Sequence, residues 1–223
     1  MIVLFANDKG GVGKTTTAVN MAVMRMLAGR DVLLADCDLQ RTASNWCSVR
    51  AAIEPAVSSF SRVQLTGSDV ASELIKLSER YQDVVVDTHG ADSVEMRQAM
   101  TVADVVVMPL QMSQFDLWGV SRVLEVVKNI EATWPAGQKM NLKALINCAH
   151  TQAKKDKEEM REALSASGIS VMAPVMHWRL VYQRLASKGL SVVEMKSSDP
   201  KGVATKEMTD VYQEIFGDEW RAK

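Results

Sequence analysis

A glycine-rich run stands between an apolar segment and a helical pattern at the start of the 223-residue chain. The apolar segment covers residues 2–6, and the run contains Gly10, Gly11 and Gly13. Because glycine has no Cβ and adopts positive φ angles readily, successive backbone N–H groups can turn toward one point. The helix that follows adds the positive end of its dipole there. Residues 2–28 are therefore predicted to form a strand, a tight loop and a helix.

Short apolar runs alternate with amphipathic stretches along the rest of the chain. Strands are predicted at 2–6, 31–36, 62–65, 83–87, 104–108, 142–147 and 169–172. Helices are predicted at 14–28, 40–52, 68–80, 92–102, 114–132, 154–167, 178–188 and 203–216. Near-continuous Val, Leu and Ile runs are typical of parallel strands buried on both faces. The predicted fold class is α/β: a single domain, 1–223, with a doubly wound, mostly parallel sheet flanked by helices on both faces.

Composition excludes several classes of protein. The net charge is −1, so any binding of nucleic acid must come from a local basic patch. No apolar run reaches the roughly 18 residues of a membrane span. No signal peptide is expected, because Met1 is followed at once by a predicted strand and not by a basic segment. Cys37, Cys47 and Cys148 lack the C-x-x-C spacing of a zinc site and are odd in number. They are predicted to be free thiols, which favours a cytoplasmic location.

The loop at 9–16, Lys-Gly-Gly-Val-Gly-Lys-Thr-Thr, carries the residue types that bind polyphosphate. Lys14 can reach the β- and γ-phosphates, and the hydroxyl of Thr15 can ligate Mg²⁺. Asp8 stands where the general G-x-x-x-x-G-K-[ST] pattern has glycine, and Lys9 adds a second cation near Lys14. Since two close cations repel unless an anion or a carboxylate lies between them, Lys9 is predicted to meet phosphate, its own or that of a second protomer. The alternative is a glycine-rich turn with a solvated lysine.

Carboxylates end two of the predicted strands. Asp36 and Asp38 alternate at the end of the second strand, so their side chains are expected on the same face. Such a pair suits Mg²⁺ binding and orientation of an attacking water, and the alternative is that it caps the next helix. Asp87 ends the strand at 83–87 and is predicted to hold Mg²⁺ through water. His89 is predicted to be a turn residue hydrogen-bonded to the phosphate shell, with a catalytic base as the alternative.

These motifs together resemble the ParA/MinD group of P-loop ATPases, whose phosphate loop is a deviant Walker A motif. The resemblance spans nearly the whole chain and is strongest to the ParA-like plasmid and chromosome partition ATPases. It is carried by the loop at 9–16, Asp36-x-Asp38-x-Gln40, Asp87, Pro109-Leu110-Gln111 and Phe115-Asp116. The chain departs from the family pattern, which usually has proline, at Leu39, His89-Gly90 and Met112. Because of those departures, the resemblance does not identify which DNA or protein assembly the chain would move.

The resemblance implies an ATP hydrolase that uses ATP and Mg²⁺. It implies that Lys9 reaches across an ATP-sandwich homodimer, that Lys14 binds the β/γ-phosphates, and that Asp38 positions the hydrolytic water. Mg²⁺ would be held by Thr15, Asp36 and Asp87. The implied nucleotide-binding residues are Gly10, Gly11, Val12, Gly13, Lys14, Thr15 and Thr16, with Asn147 at the adenine.

Residues 175–206 form a locally basic region. The region contains Arg179, Arg184, Lys188, Lys196, Lys201 and Lys206, against Glu194 and Asp199. The resemblance implies that the dimer binds nonspecific DNA here, which places the protein on the nucleoid; Arg179, Arg184 and Lys188 are the candidate contacts. The alternative is an ordinary solvated face.

The implied function is DNA partition or segregation with a ParB-like centromere-binding partner that stimulates hydrolysis. Alternatives are a ParA-like positioning ATPase, an accessory ATPase of conjugative DNA transfer, a MinD-type membrane-associated ATPase, and a metabolic enzyme of the same superfamily. No membrane binding is expected, because the polar face of the helix at 203–216 is acidic and anionic lipid would repel it.

Overall fold

The computed structural model describes residues 1–194 and 201–222, without the side chains of residues 114–117 and 154. Seven parallel strands form one sheet in the order β3-β2-β4-β1-β5-β6-β7. The strands are β1 (Ile2–Phe5), β2 (Val32–Cys37), β3 (Ser61–Gln64), β4 (Asp83–Thr88), β5 (Val105–Leu110), β6 (Leu142–Ile146) and β7 (Ser170–Val171). The helices are α1 (Lys14–Leu27), α2 (Thr42–Ala51), α3 (Val70–Ser78), α4 (Val94–Val102), α5 (Gln114–Glu131), α6 (Lys154–Ala166), α7 (Leu180–Ala186) and α8 (Val203–Phe216).

Helices cover both faces of the sheet. Since side chains alternate along a strand, Ile2 and Leu4 enter one core while Val3 and Phe5 enter the other. Helices α3, α4, α5 and α6 pack into the first core, and α1, α2, α7 and α8 pack into the second. The doubly wound parallel fold is thus confirmed. Each predicted strand and helix occurs in the described part of the chain, with ends that differ by at most two residues.

The last helix lies on the body of the fold. Met208, Val211, Tyr212 and Ile215 of α8 are buried in the second core, as their helical spacing predicts. Among the described residues, no helix combines the length and the apolar character needed to cross a bilayer.

A buried ion pair fixes the helix that follows the glycine loop. Arg25 of α1 donates from Nη2 to Oδ2 of Asp83, at 2.7 Å, and from Nη1 to the hydroxyl of Tyr212, at 2.8 Å. Its guanidinium also lies 4.2 Å from the ring centre of Phe216. Hydrogen bonds to charged groups contribute about 1.5–3 kcal/mol each. α1 is therefore anchored to β4 and α8 at the end opposite the glycine loop.

The carboxyl ends of three neighbouring strands bring the sequence motifs together. In the β1–β4 pairing Phe5 lies opposite Asp87, and in the β2–β4 pairing Asp36 lies opposite Asp87. Ligands of open α/β sheets bind at this edge, where the strand order reverses. The register thus places the glycine loop and the acidic residues at one site.

Candidate phosphate-binding site

The glycine loop needs glycine at two positions. Gly11 and Gly13 have φ angles of 75° and 96°, which place both in the left-handed region. A Cβ on Gly13 would also lie 2.0 Å from Nδ2 of Asn147, which is closer than any side chain can approach. The loop is therefore fixed both by its own backbone and by the residue that follows β6.

Asn147, which follows β6, contacts this loop with both ends of its side-chain amide engaged. Its Nδ2 donates to the carbonyl oxygen of Val12, at 2.6 Å, and its Oδ1 accepts from the backbone N–H of Cys148, at 2.8 Å. Both ends of the amide are therefore engaged by the protein, and the contact of Asn147 with adenine stays a prediction.

Lys14 is buried inside the loop. Its Nζ donates to the carbonyl oxygen of Lys9 at 2.8 Å, so the lysine closes the loop on itself. Burial lowers the pKa of Lys14, and the nearby carboxylates of Asp87, Asp38 and Asp8 oppose that shift. Three carboxylates therefore supply counter-charge to Lys14.

Lys9 begins the loop and is held by its backbone. Its N–H donates to Oδ1 of Asn7 at 3.1 Å, while its carbonyl oxygen accepts from Lys14. The preceding Asp8 pairs with Arg122 of α5, at 2.7 Å between Oδ2 and Nε. Of the unusual Asp8-Lys9 pair, Asp8 thus contacts α5 and Lys9 contacts the loop.

Asp87 is completely buried at the end of β4. The hydroxyl of Thr15 donates to its Oδ2 at 2.7 Å, while its Oδ1 has no hydrogen-bond partner among the described residues. Burial raises the pKa of Asp87 to about 7, against the opposing effects of the Thr15 hydrogen bond and the charge of Lys14. A hydroxyl beside a carboxylate with one unused oxygen fits a hard divalent cation or its bound water.

The high pKa of Asp87 predicts how stability depends on pH in the nucleotide-free protein. The folded chain binds this proton more tightly than the unfolded chain, so the stabilisation is complete below about pH 4 and is lost as the pH rises through about 7. We expect the free energy of unfolding to fall across that window by up to about 4 kcal/mol from this group. Urea denaturation of wild type and Asp87→Asn should show a shallower fall in the variant. Glu158→Gln, which removes an exposed carboxylate, is the control; equal slopes for wild type and Asp87→Asn would contradict the assignment.

The two aspartates at the carboxyl end of β2 have different surroundings. Asp36 accepts at Oδ1 from the backbone N–H of Asp38, at 3.1 Å, and at Oδ2 from that of Ser44 in the first turn of α2, at 2.7 Å. Asp38 lines the cleft, and its Oδ1 accepts from the N–H of Gln40 at 2.7 Å. The helix-capping alternative therefore holds for Asp36, whose place in the Mg²⁺ shell stays a prediction, while Asp38 faces the cleft.

A cleft of about 300 Å³ lies over the loop. It is lined by Gly10, Gly11, Gly13, Lys14, Thr15, Thr16, Asp38, Gln40, Thr42, Thr88, His89 and Gly90. His89 contacts Asp38 there, with 3.0 Å between Nδ1 and Oδ1. The sequence alone places His89 near the phosphate shell, and it does not identify Asp38 as its partner.

A second cleft, of about 220 Å³, continues from the same loop past Thr16. Asn147, Met176, Trp178 and Tyr182 contribute to its walls, and the side chain of Trp178 is 56% exposed. No sequence pattern indicates this cleft, because half of its lining residues come from 176–183, a segment that is remote from the loop in the chain.

The basic region is less uniform than its composition suggests. Arg179 donates from Nε to Oε2 of Glu207 at 3.0 Å, and Glu207 also accepts from His177, so the charge of Arg179 is largely used within the fold. Arg184 lies exposed on α7, and Lys188 lies exposed two residues beyond the end of that helix. Lys201 is exposed, Lys206 pairs with Asp210, and Lys196 and Asp199 lie outside the described residues.

Comparison with known proteins gives consistent relatives. Residues 3–193 match the family model described as the CobQ/CobB/MinD/ParA nucleotide binding domain. Maintenance of carboxysome distribution protein A from Gloeobacter kilaueensis is 30% identical over 201 residues, which cover 90% of this chain and 87% of that protein. Chromosome-partitioning ATPase Soj from Thermus thermophilus is 30% identical over 155 residues, which cover 58% of this chain and 62% of Soj.

Solved structures share the fold over the full chain. An ATP complex of McdA from Cyanothece has a TM-score of 0.77 at 16% identity, covering 100% of this chain and 98% of that one. MinD cell division protein from Aquifex aeolicus has a TM-score of 0.73 at 19% identity, covering 100% of this chain and 99% of that one.

Proposed function

The chain belongs to the CobQ/CobB/MinD/ParA family of nucleotide-binding proteins, and on that premise we propose that it is a ParA-type ATPase. In this proposal it dimerises on Mg·ATP, binds nonspecific DNA as the dimer, and leaves the DNA when ATP is hydrolysed. The observation that carries the proposal is the loop itself, in which Lys14 is enclosed and Lys9 stands at the first position.

The two clefts would bind the two halves of ATP, the phosphates and the base. The phosphates would lie in the first cleft, where loop N–H groups and the start of α1 favour anions. Lys14 would exchange the carbonyl oxygen of Lys9 for phosphate oxygens, since an anion is the better acceptor for an ammonium group. The base would lie in the second cleft beyond Thr16, where Trp178 and Tyr182 offer aromatic surface.

Three side chains offer the oxygen atoms that Mg·ATP hydrolysis would use: Thr15, Asp87 and Asp38. Mg²⁺ would supply neutralisation of the charge on the β- and γ-phosphates. The hydroxyl of Thr15 would bind the cation directly, and Asp87, with its unused Oδ1, would accept from the water around it. Asp38, within the cleft, would orient the attacking water.

Exposed apolar side chains near the cleft support a dimer of this chain. Leu39, directly after Asp38, is 72% exposed, and Trp118 at the start of α5 is 60% exposed. α5 reaches the loop here, because a Cβ on Gly119 would lie 2.7 Å from Oδ1 of Asp8. Large apolar residues at an edge that also presents Lys9 are typical of a surface that a partner covers.

DNA binding would rest on Arg184 and Lys188, because the guanidinium of Arg179 pairs with Glu207. Two exposed cations on one protomer become four on a dimer, and binding driven by phosphate contacts strengthens steeply with each contact. This surface is distinct from α8, whose apolar face is buried and so is not offered to a membrane.

Removing both cations should weaken ATP-dependent DNA binding. For Arg184→Ala/Lys188→Ala we expect the slope of log affinity against log salt to shrink by about 0.9 for each DNA phosphate that is no longer neutralised, or about 2 per protomer. The measurement is a DNA shift assay at several salt concentrations with ATP and with ADP.

The control for this assay is Arg80→Ala/Lys128→Ala, which removes two exposed cations on the opposite face of the sheet. An unchanged salt slope in the Arg184/Lys188 variant would contradict this location. Wild-type binding that is equal with ATP and ADP would contradict the proposed function, and ATP-dependent flotation with anionic vesicles would favour a MinD-type role.

Two cargoes remain candidates. DNA partition with a ParB-like centromere-binding partner is the first, and it is supported by the similarity to Soj. Positioning of a protein assembly is the second, and it is supported by a relative named for carboxysome distribution that matches most of both chains. Affinity purification of the Asp38→Ala variant with ATP and DNA would separate them: a small DNA-binding protein supports partition, and a protein of a large assembly supports positioning.

A further inference from the structure

The pairing of β2 with β4 continues beyond the strands into a contact between two side chains. Within the pair, Asp36 lies opposite Asp87 and Cys37 lies opposite Thr88. The next position in this register brings Asp38 opposite His89, and the side chains meet with 3.0 Å between Oδ1 and Nδ1. Because an ionised carboxylate only accepts hydrogen bonds, we assign the proton of this contact to Nδ1 of the ring.

This contact leaves one oxygen of Asp38 for the cleft. Oδ1 already accepts from the backbone N–H of Gln40 at 2.7 Å, so it takes two donors with His89. No described residue donates to Oδ2. A carboxylate held at one oxygen by two donors has a fixed plane, and the other oxygen then has a fixed position.

The turn that carries His89 rests on the phosphate loop. A Cβ on Gly90 would lie 2.6 Å from the Cα of Gly10 and 2.8 Å from the carbonyl carbon of Lys9, which is closer than real Cβ contacts. The backbone of this turn therefore touches the loop directly. His89 thus lies next to a turn residue that touches the loop, and its ring contacts the aspartate that would orient the water.

From this geometry we infer that His89 is a positioning residue for hydrolysis, which holds Asp38 so that Oδ2 is presented to the attacking water. The inference rests on the proposed ATP hydrolysis and adds a residue at which this chain departs from the proline usual in the family. In this inference His89 contacts Asp38 and does not contact the nucleotide. Loss of the side chain should therefore slow the chemical step and leave ATP binding intact.

The test is single-turnover hydrolysis of ATP by the full chain with DNA present, together with the Kd for ATP. His89→Ala should lower the rate constant by roughly 10-fold or more with less than about a 2-fold change in Kd. His89→Asn, whose amide nitrogen can take the place of Nδ1, should restore most of the rate. His89→Gln, which is closer to histidine in volume but places its amide near Nε2, should restore little.

The control for loss of an imidazole is His150→Ala, which removes an exposed histidine and should behave as wild type. A wild-type rate in His89→Ala, or equal rescue by Gln and Asn, would overturn the positioning role of His89. Neither result would contradict the proposed ATPase function. Absence of hydrolysis by the wild-type chain would overturn the proposed function and this inference together.

Discussion

Replacement of Asp38 by alanine should abolish ATP turnover while ATP and DNA stay bound. The side chain lies in the cleft over the glycine loop, and its only described donors are the N–H of Gln40 and the ring of His89. Because no helix or strand depends on it, its loss removes the group that would orient the water and little else. We expect hydrolysis to fall by about 100-fold or more, since positioning a reactant contributes at least that much.

The measurement for Asp38→Ala is single-turnover hydrolysis beside an ATP-dependent DNA shift. The variant should form an ATP complex on DNA that outlasts the wild-type complex. Asp36→Ala is the informative contrast: Asp36 holds two backbone N–H groups, so its loss should lower the free energy of unfolding by about 2 kcal/mol or more. Wild-type turnover in Asp38→Ala would refute its assignment.

Replacement of Lys9 by alanine should prevent assembly while leaving the monomer able to bind ATP. The backbone of Lys9 is held by Asn7 and Lys14, and neither contact uses the Lys9 side chain. The loop should therefore keep its shape when that side chain is removed. If the amine meets the phosphates of a second protomer, its loss removes a cation from the transferring phosphoryl group, which lowers turnover by about 100-fold or more.

Lys14→Ala is the matched variant in the same loop. Lys14 is the enclosed lysine, so its loss should weaken ATP binding itself, whereas Lys9→Ala should bind ATP within a few-fold of wild type. The readouts are a fluorescent-nucleotide titration and sedimentation velocity with a slowly hydrolysed ATP analogue. If Lys9→Ala forms an ATP-dependent dimer that binds DNA as wild type does, the proposed contact of Lys9 with the phosphates of a second protomer is contradicted.

Most of the fold could be predicted from residue patterns because those patterns report local physics. Val84–Val86 form a strand buried on both faces, which an uninterrupted apolar run predicts. Gly13 has the positive φ angle that a glycine-rich loop predicts. The edge of the sheet that carries the site could be predicted for the same reason, since Asp87 must lie at the carboxyl edge if it ends a parallel strand.

The partners of individual side chains could not be predicted, because they depend on register and on distant backbone groups. Asp36 and Asp38 look alike in the sequence, yet only the fold shows that the N–H of Ser44 faces Asp36. Arg179 belongs to the basic region in the sequence, and only the fold shows that it pairs with Glu207 of α8. The contact of His89 with Asp38 follows only from the β2–β4 register, which brings together residues that are 51 positions apart.

The central claim is that the nucleotide controls whether two chains meet. It is tested most directly by sedimentation velocity of the wild-type chain, without DNA, in Mg²⁺ with a slowly hydrolysed ATP analogue and, separately, with ADP. We expect a species of twice the monomer mass with the ATP analogue and a monomer with ADP. A monomer under both conditions, at protein concentrations well above those of the DNA assay, would contradict the claim.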